Sequence, residues 1–448
     1  MKKSIFTILV MFMPMLASAD PVEIDGLFYN LTKKAKIAEV TSSPDASYSG
    51  DITIPEQVTY EDIVYDVTSI GNGAFIGCQN ITSVHIPNSV TSIGGNAFYE
   101  CANLISVDIP ESVTEIGSGS FNGTGITEIT IPKSVKSIGK FAFGPNIKSI
   151  TMLCGEGTSL HPQWIFCFYD DQLCIHIKSL NDWCCLSIMD PIYHKSSGSY
   201  YYRLFLNNEE ITDLVISDGV TKISDYAFNW CSSITSVTIP GSVEKVGLAF
   251  RNCPNLSSVT IQEGVKYIGK TDDYYWPGGY LPTSVVTNDW NMKSIVIPNS
   301  VDTIGPGAFY QFMTLESVTI GSGVKNIGRK AFSNCEELAD VYCLAESVPT
   351  TLDDDLWSRC NPFEDSMQEY ITLHVPEASV EAYKAKWQWP LNQFKEIVPI
   401  TDTAIRNVTA SESAKTFYTL DGVQNDKPQK GINIIRTNEG KAKKVLVK

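Results

Sequence analysis

Residues 74–94 read AFIGCQNITSVHIPNSVTSIG, and residues 97–117 read AFYECANLISVDIPESVTEIG. The same line returns at 227–247 as AFNWCSSITSVTIPGSVEKVG and at 308–328 as AFYQFMTLESVTIGSGVKNIG. Ala74 to Ala97 is a step of 23 residues, and Ile109 to Ile131 a step of 22. A fixed period of this length marks an array of stacked supersecondary units. In one unit, Val84-His85-Ile86 alternates apolar, polar, apolar, the pattern of a short half-buried strand. Pro87 and Asn88 end it, Val90 and Ile93 turn inward on the return, and Gly94-Gly95 permits a tight bend. Ala97 and Phe98 then fit beneath the next strand. One unit cannot bury these groups alone; stacked units can, with strands about 4.8 Å apart in a parallel sheet.

The last apolar residue of each predicted strand falls at Ile54, Ile86, Ile109, Ile131, Met152, Ile177, Ile216, Ile239, Ile261, Ile297, Ile320, Cys343 and Val375. That series gives about 13 turns of a β-rich repeat solenoid. Four gaps, 54 to 86, 177 to 216, 261 to 297 and 343 to 375, are long enough to hold insertions.

The words AF-x-x-C-x-x-[IL]-x-S-V-x-I-P-x-S-V-x-x-I-G resemble the BspA-like leucine-rich repeats of bacterial surface and secreted proteins. The resemblance covers roughly residues 50–400. It implies a curved, right-handed leucine-rich-repeat solenoid with a parallel concave sheet, and roles in adhesion or host interaction without one shared ligand. Residues 50–71 look like the family's first turn with a small hairpin, and residues 371–398 like its closing cap.

Lys2 and Lys3 precede an apolar run from Ile5 to Leu16, and Ala17-Ser18-Ala19 supplies an A-x-A cleavage signal. Residues 1–19 read as a secretory signal peptide, with a mature start near Asp20. No later stretch is apolar enough for a transmembrane helix. The organisation is then a cap region at 20–49, the solenoid at 50–400 with insertions near 178–210 and 270–290, a linker at 401–415 and a small β tail at 416–448. The tail carries strand-like runs FYTL, GINIIR and KKVLVK separated by turn residues. It is basic, and resembles in shortened form the sorting segments of proteins exported across a bacterial outer membrane.

The formal net charge of -16 repels phosphate backbones and argues against nucleic-acid partners. Asp353, Asp354 and Asp355 read as a solvated loop, since no EF-hand spacing surrounds them. Of the 12 cysteines, Cys78, Cys101, Cys231, Cys253 and Cys335 share one repeat position, where Thr124 and Phe312 stand in other turns. That interchange fits buried free thiols. Cys154, Cys167, Cys174, Cys184 and Cys185 lie in irregular stretches, where disulfides are the expectation in an oxidising compartment. No C-x-x-C pair and no His spacing suggests a metal, so neither a metal nor another cofactor is expected.

Residues 264–271, GVKYIGKT, match the phosphate-loop pattern, but the glycines and apolar residues are the repeat's own V-x-x-I-G and no helix signal follows. His85, His176 and His374 fall at outward strand positions and read as surface side chains, not as parts of a catalytic set. No enzyme is expected, with a degradative hydrolase as the weaker alternative. The expected activity is binding of an extracellular protein, with a glycan as the alternative partner. The concave face shows Thr130, Thr151, Thr238, Thr260 and Thr319 in one outward row and Ser83, Ser106, Ser236, Ser258, Ser294 and Ser317 in another. Such rows are expected to satisfy each other by hydrogen bonds. The first insertion carries Tyr193, Tyr200, Tyr201 and Tyr202, in a stretch that resembles a stereotyped family segment. The second carries Tyr274, Tyr275, Trp276, Tyr280 and Trp290, and these five are the candidate ligand-binding residues, because Tyr and Trp anchor interfaces at low entropic cost.

Overall fold

The computed structural model describes residues 20–44, 47–160, 173–188, 201–269, 292–352, 361–363, 366, 368–385, 394–400, 416–419, 424–425, 431–436 and 442–447. The leader segment 1–19 and the linker 401–415 lie outside them.

The chain winds as a β-rich stack of coils whose strands are mostly parallel, with few helices. Each regular coil has three sides. The first is a long strand. Glu128–Ile131, Ser149–Met152, Leu173–Ile177 and Tyr202–Leu206 form one parallel ladder. Asp213–Val215, Ser236–Ile239 and Ser258–Ile261 form a second. Ser294–Ile297, Ser317–Ile320, Asp340–Cys343, Thr372–Val375 and Glu396–Pro399 form a third. The S-V-x-I alternation decides what is buried: Val237 and Ile239 face inward, while Ser236 and Thr238 stand outward half-buried. Near residue 107 the long strand shrinks to a single bridge, Val84 to Val107. The stretch 178–210 contains a further rung, because Tyr202–Leu206 pairs directly with Leu173–Ile177.

The second side is the returning S-I dipeptide. Sequence reading gave it only inward-facing apolar residues, yet it forms a ladder of its own. Ser92–Ile93, Glu115–Ile116, Ser137–Ile138 and Ser159–Leu160 pair in register. Lys245–Val246, Tyr267–Ile268, Thr303–Ile304 and Asn326–Gly328 do the same further on. Behind this side runs a row of hydroxyls. Ser112 donates to the Val90 carbonyl at 2.6 Å, Ser134 to Val113 at 2.7 Å and Ser242 to Val220 at 2.7 Å. Ser89 opens the row, and its buried hydroxyl has no partner.

The third side is a column of phenylalanines. Phe75, Phe98, Phe121 and Phe143 stack at 5.1, 5.4 and 5.9 Å, with planes within 9°. Phe228 stacks on Phe250, and Phe309, Phe332 and Phe363 stack in turn. Identical coils displaced by one strand spacing bring identical rings into face contact, and each such pair adds about 0.5–1.5 kcal/mol beyond its buried area. Tyr48 meets the first ring at 56°, and Phe394 meets Phe363 at 76°.

The repeat cysteines do more than fill space. Cys101 donates to the Phe75 carbonyl of the preceding coil at 3.0 Å, Cys253 to Phe228 at 3.1 Å and Cys335 to Phe309 at 3.4 Å. Thr124 sends its hydroxyl to its own coil's Phe121 carbonyl at 2.8 Å. The position therefore supplies a donor to a buried carbonyl, which costs stability if left unpaired.

The stack is closed at both ends. At the start, Val22–Ile24 and Leu27–Thr32 form a hairpin across Asp25-Gly26, both at positive φ, as the tightest hairpin turn requires. Ile37–Thr41 continues this sheet and runs parallel to Ile63–Ile70, which also pairs with Gln57–Tyr60. At the far end the short helix Val380–Ala385 buries Tyr383, whose hydroxyl donates to the Ala345 carbonyl at 2.9 Å. The tail forms a separate antiparallel sheet of four strands, Gln424–Asn425, Thr416–Thr419, Gly431–Arg436 and Ala442–Val447, one more than its sequence patterning predicts.

The long strands part at more than one place, among them between Tyr202–Leu206 and Asp213–Val215, and one such break is a stapled seam. Between Ser258–Ile261 and Ser294–Ile297 the long strands belong to different ladders, and Val259 is half-buried where Val237 is 1% exposed. The short ladder runs on, Tyr267 pairing with Thr303 and Ile268 with Ile304. Glu263 staples the seam: its carboxylate accepts from the backbone N–H of Asn299 (2.9 Å) and Ser300 (2.7 Å) and from Asn299 Nδ2 (3.2 Å). Gly264 beside it has φ +121°, and a Cβ there would lie 2.3 Å from the Gly241 carbonyl oxygen, so only glycine fits.

Candidate functional site

The long-strand face offers two outward rows, at alternate residues of each strand. Register fixes who sits beside whom. Thr130, Thr151, His176 and Phe205 are successive neighbours, as are Thr319, Tyr342, His374 and Val398. The expected hydroxyl-to-hydroxyl bonding does not occur. Among the described residues, no Ser or Thr of these rows bonds to its neighbour in the row. Only carboxylates that begin a run engage them: Asp51 accepts from Ser83 (2.6 Å) and Thr82 (2.7 Å), and Asp213 from Ser236 (2.6 Å). Ser83, then Thr82, hold the Asp51 carboxyl below the usual carboxylate range. Apart from Thr319, which is buried, the remaining hydroxyls are left for water or a partner.

Two stations interrupt these rows. At the first, His176 stacks on Phe205 at 4.8 Å, and the Arg203 guanidinium lies over the Phe205 ring at 5.3 Å. Arg203 grips Glu210 with two bonds, Nε to Oε1 at 2.7 Å and a second to Oε2. This pairing lowers the Glu210 carboxyl and raises Arg203. At the second, Tyr342 stacks on His374 at 4.3 Å and 12°, and His374 Nε2 is 2.8 Å from Asp340 Oδ1. Burial, with Asp340 nearby, pushes the Tyr342 hydroxyl up. His176 and His374 are thus at the outward positions expected, but packed on aromatic neighbours instead of standing free; His85 is exposed.

The other candidate chemistries fare differently. Cys154, Cys174, Cys184 and Cys185 are free thiols, which corrects the expectation of disulfides there; Cys167 lies outside the described residues. Cys154 and Cys184 are buried, and Cys174 and Cys185 are half-buried. Burial pushes Cys101, Cys184 and Cys335 up to about 12, and Cys154 and Cys231 up to about 11, so none is a ready thiolate near neutral pH. Val265 and Ile268 of the phosphate-loop look-alike are fully buried in the repeat, while Lys270 and Thr271 lie outside the described residues. Among the described residues, no group of three or more His, Cys, Asp or Glu could hold a metal ion, and no helix is long and apolar enough to cross a membrane.

The repeat matches the model of the BspA type leucine-rich repeat region in six copies, at residues 52–168, 195–272 and 281–369, more than half of the chain. The chain belongs to that family. Solved structures similar to this BspA-type chain include a leucine-rich repeat protein from Bacteroides ovatus. It is 23% identical, with 84% of this chain and 90% of that one covered and a TM-score of 0.42. A leucine-rich cell surface protein from Faecalibacterium prausnitzii is 22% identical over 77% of this chain and 98% of that one, at 0.36. The pneumococcal vaccine antigen PcpA is 15% identical over 85% and 98%, at 0.43. No curated protein matches the chain.

Tyr274, Tyr275, Trp276, Tyr280 and Trp290 all lie outside the described residues, as do Tyr193 and Tyr200. Tyr201 packs edge-on against Trp230 at 5.5 Å. Tyr202 is buried, edge-on to Trp183, which fits an architectural part for the first insertion. What sequence reading passed over in this BspA-type chain is Arg203, Phe205, Asp340 and Tyr342. Their signal was available: each occupies a row position filled elsewhere by Ser or Thr.

Proposed function

We propose that this protein is a secreted or cell-surface binding protein that engages an extracellular protein through the long-strand face. One observation carries the reading: short in-register runs of outward hydroxyls, Ser236 beside Ser258, Thr238 beside Thr260 and Ser294 beside Ser317, unbonded to one another, lie on the long strands between two aromatic-histidine stations. Such a face offers many weak polar contacts along its length and a few ring anchors of the kind that dominate interface energies. Residues 1–19 direct export, residues 401–415 serve as linker, and residues 416–448 are a sorting or anchoring segment. A second contact through Tyr274, Tyr275, Trp276, Tyr280 and Trp290 belongs to the same proposal, with glycans as the partner class those rings would also suit.

The test is binding of the full chain to a panel of purified extracellular proteins and glycans. One variant carries Thr238→Arg and Thr260→Arg, which block the rows; the other carries Tyr275→Ala, Trp276→Ala and Tyr280→Ala. The reading expects protein binding to weaken at least about tenfold, or about 1.4 kcal/mol, in the row variant. Binding untouched there but lost in the loop variant moves the site to the second insertion. Glycan binding alone overturns the protein reading.

A further inference from the structure

The charges of the molecule are segregated along the chain. Residues 416–448 hold seven Lys and Arg against three Asp and Glu, a net charge of +4, while the whole chain carries -16. The last rungs of the long-strand face are acidic: Asp340 and Glu396 stand on the outward rows, with Glu316 and Glu337 exposed beside them. Lys293 bridges Glu316 (3.1 Å) and Glu337 (2.8 Å) and offsets one of their two negative charges, which leaves one there besides Glu396 and the His374-paired Asp340. Tyr342 and His374 lie in the same rungs, and aromatic rings attract Lys and Arg side chains.

The tether is short enough to matter. Glu396–Pro399 is the last rung, and Ile400 N–H still donates to the Val375 carbonyl at 2.7 Å, so the solenoid ends on this face. Residues 401–415 then separate it from the tail. Fifteen residues reach at most about 50 Å when extended, or about ten rungs at 4.8 Å. Glu396, His374, Tyr342 and Asp340 fall within that reach. Tethering at this range corresponds to an effective concentration of the order of millimolar, enough for weak ionic contacts to hold.

We infer that the chain's own basic tail, residues 416–448, docks on the last rungs of the long-strand face around Asp340, Tyr342, His374 and Glu396. Docking is sequence-tolerant and salt-sensitive, because lysines on flexible stems meet carboxylates at irregular intervals. It occupies the Tyr342–His374 station that the reading above offers to an external partner, and its test reads links within one chain, apart from any partner binding.

The test is zero-length carbodiimide cross-linking of the full chain, with cross-linked peptides identified by mass spectrometry. Amides are expected between the tail lysines Lys441, Lys443, Lys444 or Lys448 and Asp340, Glu396, Glu316 or Glu337. They are expected to be independent of protein concentration and to fall at least about fivefold as ionic strength rises from about 0.05 M to about 0.5 M. Asp340→Asn with Glu396→Gln is expected to lower the tail's cross-links to the retained Glu316 and Glu337 by a similar factor. Equal cross-linking to Glu244 and Asp302, on the short-strand side, overturns the inference, as do cross-links formed only between molecules.

Discussion

The coils from Phe75 to Phe143 and the seam from Phe250 to Phe309 solve the same problem with different means. The first region combines a ring column, a hydroxyl row and a short ladder, each repeated coil after coil. At the seam the long strands part, yet Tyr267 and Ile268 remain in register with Thr303 and Ile304 and one carboxylate joins the two sides. A coil therefore does not need every ladder to stay attached. Redundant contacts between neighbours let a repeat array absorb a step of 36 residues from Ile268 to Ile304, against 23 from Ile304 to Ile327, without losing its phase.

That comparison can be broken most sharply at the ring column. Phe98→Ala removes a fully buried ring held between two others and is expected to cost about 3–5 kcal/mol. Val259→Ala at the seam, where the side chain is already half-buried, is expected to cost about 1 kcal/mol. Urea titrations of the two variants measure the contrast; equal losses would mean that the seam is as tightly packed as the column. Next comes the staple. Glu263→Ala leaves the Asn299 and Ser300 amides without their acceptor, for an expected loss of about 1–2 kcal/mol. Hydrogen exchange should accelerate at Thr303 and Ile304 while Ser137 and Ile138 keep their protection.

The hydroxyl row gives a finer test within the regular region. Ser112→Ala removes a donor to the Val90 carbonyl and is expected to cost about 1 kcal/mol, whereas Ser89→Ala, at the unpartnered head of the row, is expected to cost about 0 kcal/mol. The thiols give the smallest effect, one that vanishes near neutral pH. Burial raises Cys101 from 9.0 to about 12, so the folded chain keeps a proton that the unfolded chain releases. The stability tied to it is whole below pH 9 and declines as pH rises from 9 toward 12. Iodoacetamide at pH 8 should leave Cys101 and Cys335 unmodified in the folded chain and reach half-buried Cys185 first.

The coil itself was legible because apolar residues recur with a fixed phase and each occupies a place that only stacking can bury. The second ladder was not, since a two-residue strand contains a single alternation and no period can be read from it. The cysteines were legible as buried but not as donors, because the Phe75 carbonyl that Cys101 serves lies 26 residues away. The hydroxyl rows misled because sequence places Ser236 beside Ser258 and Thr238 beside Thr260 without saying which way each hydroxyl points. The stations at Phe205 and Tyr342 looked like exceptions within a pattern, and at a binding face the exceptions carry the specificity.

The tilted rings at the two ends of the column bear on how many molecules can join. A ring stacked face to face leaves its far face open to another, so a column of parallel rings could in principle continue from one chain into the next. Tyr48 and Phe394 turn across the axis and offer edges instead. Together with the closing hairpin and the short helix, they end the ring column within one chain.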